Sequence, residues 1–107
     1  MSDFNDRERA FETKYARDED MAFRVTARRN KLLGQWAAGL MGLTPEETTA
    51  YATSVVQADF EEAGDDDVIR KVLGDLTAAA VDTDEAAIRQ ALADKSVEAR
   101  RQLMESQ

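Results

Sequence analysis

Acidic side chains are the groups in this chain that could do chemistry, and they make up 22 of its 107 residues. The densest cluster is the run Asp65-Asp66-Asp67. Carboxylates bind hard divalent cations, but this run lacks the alternating ligands, the glycine and the distal glutamate of a calcium loop. Consecutive acids are also typical of a helix start, where they cap backbone N–H groups and complement the helix dipole. We therefore expect capping at this run and no metal site.

Catalytic chemistry has little support in the composition. Cysteine and histidine are absent, which removes the thiol nucleophile, the thiolate metal ligand and the commonest general base. Adjacent carboxylates remain as acid–base candidates, but hydrolysis also needs a pocket and side chains that orient the acids. A small helix bundle is expected to fill its interior with its own side chains. We predict a protein that is not an enzyme, with no catalytic residues and no cofactor.

A basic stretch stands out in a chain whose net charge is −8. Its residues are Arg24, Arg28, Arg29 and Lys31. Arg28, Arg29 and Lys31 could hold a phosphate or a nucleotide weakly, although no glycine-rich phosphate loop accompanies them. The alternative is a solvated face that complements the acids of the other helices. The overall charge disfavours nucleic acid, since phosphate contacts need an excess of Lys and Arg, and it points to a protein partner.

Hydrophobic periodicity predicts four helices and no strand, and therefore an all-α four-helix bundle. No apolar stretch approaches the length of a membrane span, and the N-terminus is not a signal peptide, so we expect a cytoplasmic protein without membrane insertion. The first helix should run from about Asp3 to Met41 and stop at Gly42. The second should start with a capping box in Thr44-Pro45-Glu46-Glu47 and end at Gly64. The third should start in Asp65-Asp66-Asp67, and the fourth should run from Asp82 or Thr83 to about Met104.

Each predicted helix has an apolar face for the core. Trp36 could stack a base or anchor a partner, but its register with Leu32, Leu33 and Leu40 favours core packing. Gly74 interrupts the third helix, and a close helix crossing would explain it. The four faces are Met21, Val25, Leu32, Leu33, Trp36 and Leu40; Tyr51, Ala52, Val55, Val56, Phe60 and Ala63; Val68, Ile69, Val72, Leu73, Leu76 and Ala80; and Ile88, Leu92, Ala99 and Leu103, with weaker support from Ala91 and Ser96.

Residues 1–20 differ from the rest of the chain. Phe4, Phe11 and Tyr15 fall on one side of a helix, and charged pairs such as Asp20–Arg24 have helical spacing. Burying three aromatic side chains would yield about 5–9 kcal/mol, whereas ordering each backbone residue costs about 1–2 kcal/mol. We therefore predict that residues 1–20 are mobile when free and helical when docked, on a bundle of residues 21–107. A plain helical extension with exposed aromatics is the alternative.

Two runs of residues resemble the zeta-subunit inhibitor family of F-type ATP synthases from alphaproteobacteria. The first is similar to the start of that family, and the second to its strongest internal motif. The helix layout matches as well, so that the resemblance covers essentially the whole chain. The runs are Asp6-Arg7-Glu8-Arg9-Ala10-Phe11-Glu12 followed by Lys14-Tyr15-Ala16, and Ala27-Arg28-Arg29-Asn30-Lys31-Leu32-Leu33-Gly34 followed by Trp36-Ala37-Ala38.

The resemblance implies a four-helix bundle whose mobile N-terminal segment inserts as a helix between an alpha and a beta subunit of F1, near gamma. Insertion would block rotation in the ATP-hydrolysing direction, and the protein would be peripheral to the inner membrane through the F1 headpiece. Many family members have a histidine where this chain has Arg17, so histidine protonation cannot gate inhibition here. The alternative is a helical adaptor or a nucleotide- or anion-sensing module unrelated to the synthase. The implied partner-binding residues are Phe4, Arg7, Phe11, Lys14, Tyr15 and Arg17.

Overall fold

The chain folds into four helices joined by short connections. A computed structural model describes the backbone of residues 2–61 and 64–105 and the side chains of residues 20–59 and 64–105. The helices are α1 (Ser2–Met41), α2 (Pro45–Glu61), α3 (Asp65–Ala78) and α4 (Glu85–Glu105), and these described ranges contain no strand. The predicted all-α four-helix architecture is confirmed. No helix in the described part of the chain is long and apolar enough to cross a membrane.

The end of α1 is determined by Gly42, as predicted. This glycine has a φ of 71°, in the left-handed region that side chains rarely adopt. The N–H of Leu43 donates to the carbonyl of Ala38 at 3.1 Å, and the N–H of Gly42 donates to the carbonyl of Gly39 at 3.2 Å. These two bonds form a Schellman motif, which satisfies carbonyls that the last turn of a helix leaves unpaired.

The start of α2 is the predicted capping box. The N–H of Glu47 donates to the Thr44 hydroxyl at 3.1 Å, and the N–H of Thr44 donates to Glu47 Oε1 at 2.9 Å. This second bond, which favours the charged carboxylate, lowers the pKa of Glu47. Because the Glu47 carboxyl has a lower pKa in the folded than in the unfolded chain, its ionised form stabilises the fold at pH values above the unfolded-state pKa. This stabilisation is lost as the pH falls through the folded-state pKa.

Replacing Thr44 with alanine should lower the free energy of unfolding by about 1 kcal/mol, because one N-cap hydrogen bond is lost. Urea denaturation followed by circular dichroism measures this change. The matched control is Thr49→Ala in the same helix, whose hydroxyl donates to the Pro45 carbonyl at 3.1 Å and caps nothing. This control should change stability by less than about 0.5 kcal/mol. Equal effects of the two substitutions would show that the capping box does not stabilise α2.

The start of α3 differs from the prediction. Its N-cap is Gly64, and no side chain caps the first turn, so the expectation that the aspartates cap this helix is wrong. The carboxylates instead form ion pairs, two with arginines that α1 and α4 bring to this end of the bundle and one with an arginine of α3 itself. The pairs are Asp65 with Arg29 of α1 at 3.0 Å, Asp66 with Arg89 of α4 at 3.0 Å, and Asp67 with Arg70 of α3 at 3.2 Å.

The start of α4 and the position of Ala80 also differ from the prediction. Helix α4 begins at Glu85 rather than at Asp82 or Thr83, because the Asp84 carboxylate accepts the N–H of Ala87 at 2.8 Å and acts as the N-cap. Helix α3 ends at Ala78, and Ala80 is exposed rather than in the core, with a φ of 62°. The N–H of Val81 donates to the Leu76 carbonyl, so Val81 packs on the core instead.

The core lies where all four helices meet, and α1 contacts each of the other three. Most predicted core residues with described side chains are buried or partly buried, and Trp36 packs against the core as expected. Leu40 is the exception in α1, with 47% of its surface exposed. The predicted core residues Phe60 and Ala63 lie outside the described side chains. The buried cluster consists of Leu33, Ala37, Val55, Val68, Ile69, Val72, Leu76, Ile88, Ala91 and Leu92.

A close helix crossing exists, but it does not occur at Gly74. Gly74 is exposed, and a Cβ placed there would have no atom within 4 Å. Gly34 of α1 is buried instead, and a Cβ there would lie 2.6 Å from the Cα of Ala52. The prediction of a crossing at Gly74 is therefore wrong, and the absence of a side chain at Gly34 is what allows α1 and α2 to approach.

Candidate functional site

The six predicted partner-binding residues belong to the N-terminal part of α1. Their side chains lie outside the described residues, so their roles stay predictions. Within the part of α1 whose side chains are described, from residue 20 onward, Met21 is partly buried and Val25, at 8% exposure, is the first buried residue. The residues concerned are Phe4, Arg7, Phe11, Lys14, Tyr15 and Arg17.

The junction with the bundle carries the predicted helical ion pair. Arg24 Nε lies 3.0 Å from Asp20 Oδ2, one turn away. Both side chains are more than half exposed, so the pair adds little to stability. The proposed division into residues 1–20 and residues 21–107 falls at this pair and stays a prediction.

The basic stretch of α1 divides between two faces of the bundle. Arg29 is only 11% exposed, and its guanidinium donates to Asp65 Oδ1 at 3.0 Å and to Asn30 Oδ1 at 3.1 Å. Arg28 donates to the neutral Gln102 of α4 at 3.4 Å, and Lys31 is exposed. Arg28, Arg29 and Lys31 therefore do not form one cluster, because Arg29 links α1 to the start of α3.

Arg28 and Lys31 instead share a surface groove with Arg24, at the helical spacing i, i+4 and i+7. We call this surface the basic groove. It lies between α1, α2 and α4 and has a volume of about 450 Å³. Among the described residues, neither Arg28 nor Lys31 forms an ion pair with a carboxylate. The basic groove is lined by Phe23, Arg24, Ala27, Arg28, Lys31, Val56 and Leu103.

The basic groove continues along α1 and α2 beyond Lys31. The continuation is lined by Lys31, Gln35, Thr49, Ala52, Thr53 and Val56, so that Lys31 and Val56 belong to both parts. Its walls are uncharged apart from Lys31. Together the two parts form one surface channel with bases at the end nearer the N-terminal part of α1.

Two residues near this region were not singled out from the sequence. Phe23 lines the basic groove with 56% of its surface exposed. The sequence feature that could have identified it is an aromatic residue that lies off the apolar stripe containing Met21 and Val25. Asn30 is fully buried, and its Nδ2 has no hydrogen-bond partner among the described residues. Its Oδ1 accepts the Arg29 Nε–H at 3.1 Å, which holds Arg29 toward α3. A fully buried asparagine has no signal in hydrophobic periodicity.

Metal binding finds no support in the part of the chain that the structure describes. No group of three or more Asp and Glu side chains there is placed to hold a metal ion. The Asp65-Asp66-Asp67 run, the strongest candidate, is divided among Arg29, Arg89 and Arg70.

The four helices and their common core define an all-α helical-bundle protein. The chain matches the family model of the ATPase inhibitor subunit zeta over residues 1–102, and it belongs to that family. A protein whose structure was solved in solution by NMR is 47% identical, with a TM-score of 0.72 over 81% of this chain and 99% of that chain. No curated protein matches the chain.

The family match confirms the resemblance that rests on the run from Asp6 to Glu12 and the run from Ala27 to Gly34. The family is that of an inhibitor subunit of the ATP synthase, so the F1 part of the synthase is the implied partner.

Proposed function

We propose that this protein inhibits ATP hydrolysis by F1 by inserting residues 1–20 as a helix into a catalytic interface between an alpha and a beta subunit, near gamma. The family match carries the proposal, because it extends over residues 1–102 and so includes the N-terminal segment as well as the bundle. Among the side chains that the structure describes, from residue 20 onward, the first buried one is Val25. The proposal assigns residues 1–20 to the partner and residues 21–107 to the bundle.

The inserted helix acts as a wedge. Phe11 and Tyr15 are four residues apart, so they lie on one side of a helix with Phe4, and they fill apolar pockets between the subunits. Arg7, Lys14 and Arg17 pair with carboxylates at the interface. Burial of the aromatics, the helix's own hydrogen bonds and the contacts of the bases with the partner together offset the cost of ordering the segment on binding. A helix held beside gamma then blocks rotation in the hydrolysing direction.

The bundle holds the wedge in place and does no chemistry. It is a non-enzymatic regulator without a cofactor, and it acts in the cytoplasm, peripheral to the inner membrane through the F1 headpiece. The ion pair between Arg29 and Asp65 links α1 to α3, and the Arg29 side chain is only 11% exposed. This ion pair allows a force on the N-terminal segment to be transmitted from α1 to α3.

A chain that lacks residues 1–20 should keep its fold and lose inhibition. The experiment adds the full chain or the shortened chain to F1 purified from the same bacterium and follows ATP hydrolysis. Circular dichroism and thermal unfolding check that residues 21–107 still fold. Full inhibition by the shortened chain, or no inhibition by the full chain, would contradict the proposal.

A second candidate function is weak binding of a nucleotide or another anion. It is favoured by Arg28 and Lys31, which line the basic groove without an ion pair to a described carboxylate, whereas Arg29 is held by Asp65. NMR spectra recorded with millimolar ATP test it. Shifts at Arg28 and Lys31 would support a sensing module, and their absence would exclude it. A pull-down that recovers other proteins without F1 subunits would favour a helical adaptor.

A further inference from the structure

The basic groove has a charge opposite to that of the protein as a whole. The chain carries a net charge of −8, but the residues lining the groove include three bases and no acid. The continuation toward Gln35 and Thr49 adds no acid either. A positive strip attracts an acidic partner surface, while the net negative charge of the protein as a whole makes its copies repel one another.

The bases of the groove are weakly engaged within the protein. Arg28 meets only the neutral Gln102, at 3.4 Å, and Lys31 has no ion pair among the described residues. Arg24 pairs with Asp20, but this pair is exposed on both sides and is therefore easily exchanged. These side chains can accept carboxylates from a partner without breaking a buried contact.

The length of the groove suits a short helix. From Phe23 to Gln35 along α1 the channel extends roughly 18 Å, from a rise of about 1.5 Å per residue, which accommodates about three turns of a partner helix. Its apolar part is formed by Ala27, Ala52 and Val56, with Phe23 half-exposed at one end. An apolar floor beside a row of charges is the arrangement by which grooves bind amphipathic helices.

We propose that the basic groove docks an acidic, amphipathic helical segment on the surface of F1. The proposal rests on the proposed function, because the groove adjoins the segment that inserts. Arg24 lies one turn beyond Asp20, the last residue of that segment, so insertion brings this surface of the bundle against F1. Docking of the groove and insertion of the wedge then reinforce each other, since each raises the effective concentration of the other.

Charge reversal in the groove tests the proposal. Arg28→Glu combined with Lys31→Glu should raise the half-inhibitory concentration toward F1 about tenfold or more at low salt. Maximal inhibition at saturating protein should be unchanged, because the wedge is intact. Lys31→Glu alone breaks no hydrogen bond or ion pair within the described chain and should give about a threefold rise. The matched control is Arg70→Glu on α3, whose side chain is 76% exposed and lies outside the groove; it should have no effect.

The outcomes separate this proposal from the proposed function. If the unaltered protein does not inhibit F1, the proposed function fails and the groove proposal fails with it. If the unaltered protein inhibits and both groove variants stay within twofold of it, only the groove proposal is overturned. It is also overturned if the variants change self-association in sedimentation, or ATP binding in NMR titrations, while their affinity for F1 is unchanged.

Photo-crosslinking identifies the surface that the groove contacts. A photoreactive amino acid in place of Gln35, an uncharged residue at the far end of the channel, should attach to an acidic helical segment of F1. The same group in place of the exposed Thr77 on α3 is the control and should attach to no F1 segment. Attachment from position 35 to a segment without carboxylates, or no attachment while inhibition persists, would overturn the proposal.

Discussion

Replacing both Phe11 and Tyr15 with alanine is expected to raise the half-inhibitory concentration toward F1 by about a hundredfold or more. Aromatic side chains that fill pockets at the centre of an interface typically contribute about 2 kcal/mol or more each, and a factor of ten in affinity corresponds to about 1.4 kcal/mol. Neither residue is part of the described core cluster, so their removal deletes none of its side chains. Titration of F1-catalysed ATP hydrolysis measures the effect.

The control for this experiment removes exposed apolar side chains from another helix. Val97 and Met104 of α4 are 73% and 66% exposed, so Val97→Ala with Met104→Ala deletes two apolar side chains that lie far along the chain from the wedge. This control should inhibit F1 like the unaltered protein. Inhibition that survives the loss of Phe11 and Tyr15, or that falls equally in the control, would exclude the first helix as the wedge.

Replacing Gly34 with alanine should lower the free energy of unfolding by about 1–3 kcal/mol, because the added Cβ meets the Ala52 backbone of the neighbouring helix. The contact would be 2.6 Å from the Ala52 Cα, and a backbone atom cannot rotate away as the end of a flexible side chain can. The helix-propensity gain of about 1 kcal/mol offsets only part of this cost. Thermal unfolding should show a decrease in Tm of roughly 5–15 °C.

Gly74→Ala is the matched control, since it is the same substitution inside another helix. No atom lies within 4 Å of the added Cβ, so only the helix propensity and the lower entropy of the unfolded chain act. The free energy of unfolding should rise by about 0.5–1 kcal/mol. A destabilised Gly74→Ala or a stabilised Gly34→Ala would show that the α1–α2 crossing does not control the stability of this bundle.

The helices and most of their ends were determined by the sequence alone, because the contacts that form them are local. Gly42 adopts the left-handed conformation required one residue beyond α1, and Thr44 and Glu47 satisfy each other's backbone N–H groups across three residues. The sequence misplaces the start of α4 because Asp82, Thr83 and Asp84 could each be its N-cap. Only the hydrogen bond from the Ala87 N–H identifies Asp84 as the residue that caps the helix.

The family could also be recognised from the sequence, since the two runs that resemble the zeta-subunit inhibitors have the right order and spacing. The family match over residues 1–102 confirms it. The inserting residues, Phe11 and Tyr15 among them, rest on that resemblance. Periodicity shows that they share one side of a helix, but the surface they would contact belongs to another molecule.

Only the tertiary structure decided which of several similar residues meets a neighbouring helix. Gly34 and Gly74 are alike in the sequence, yet one lies against Ala52 and the other faces open space. Arg28 and Arg29 are adjacent, yet one lines the basic groove and the other binds Asp65 on a different side. The physical reason is that successive residues of a helix point about 100° apart, and periodicity locates the buried side of each helix without identifying the helix that covers it.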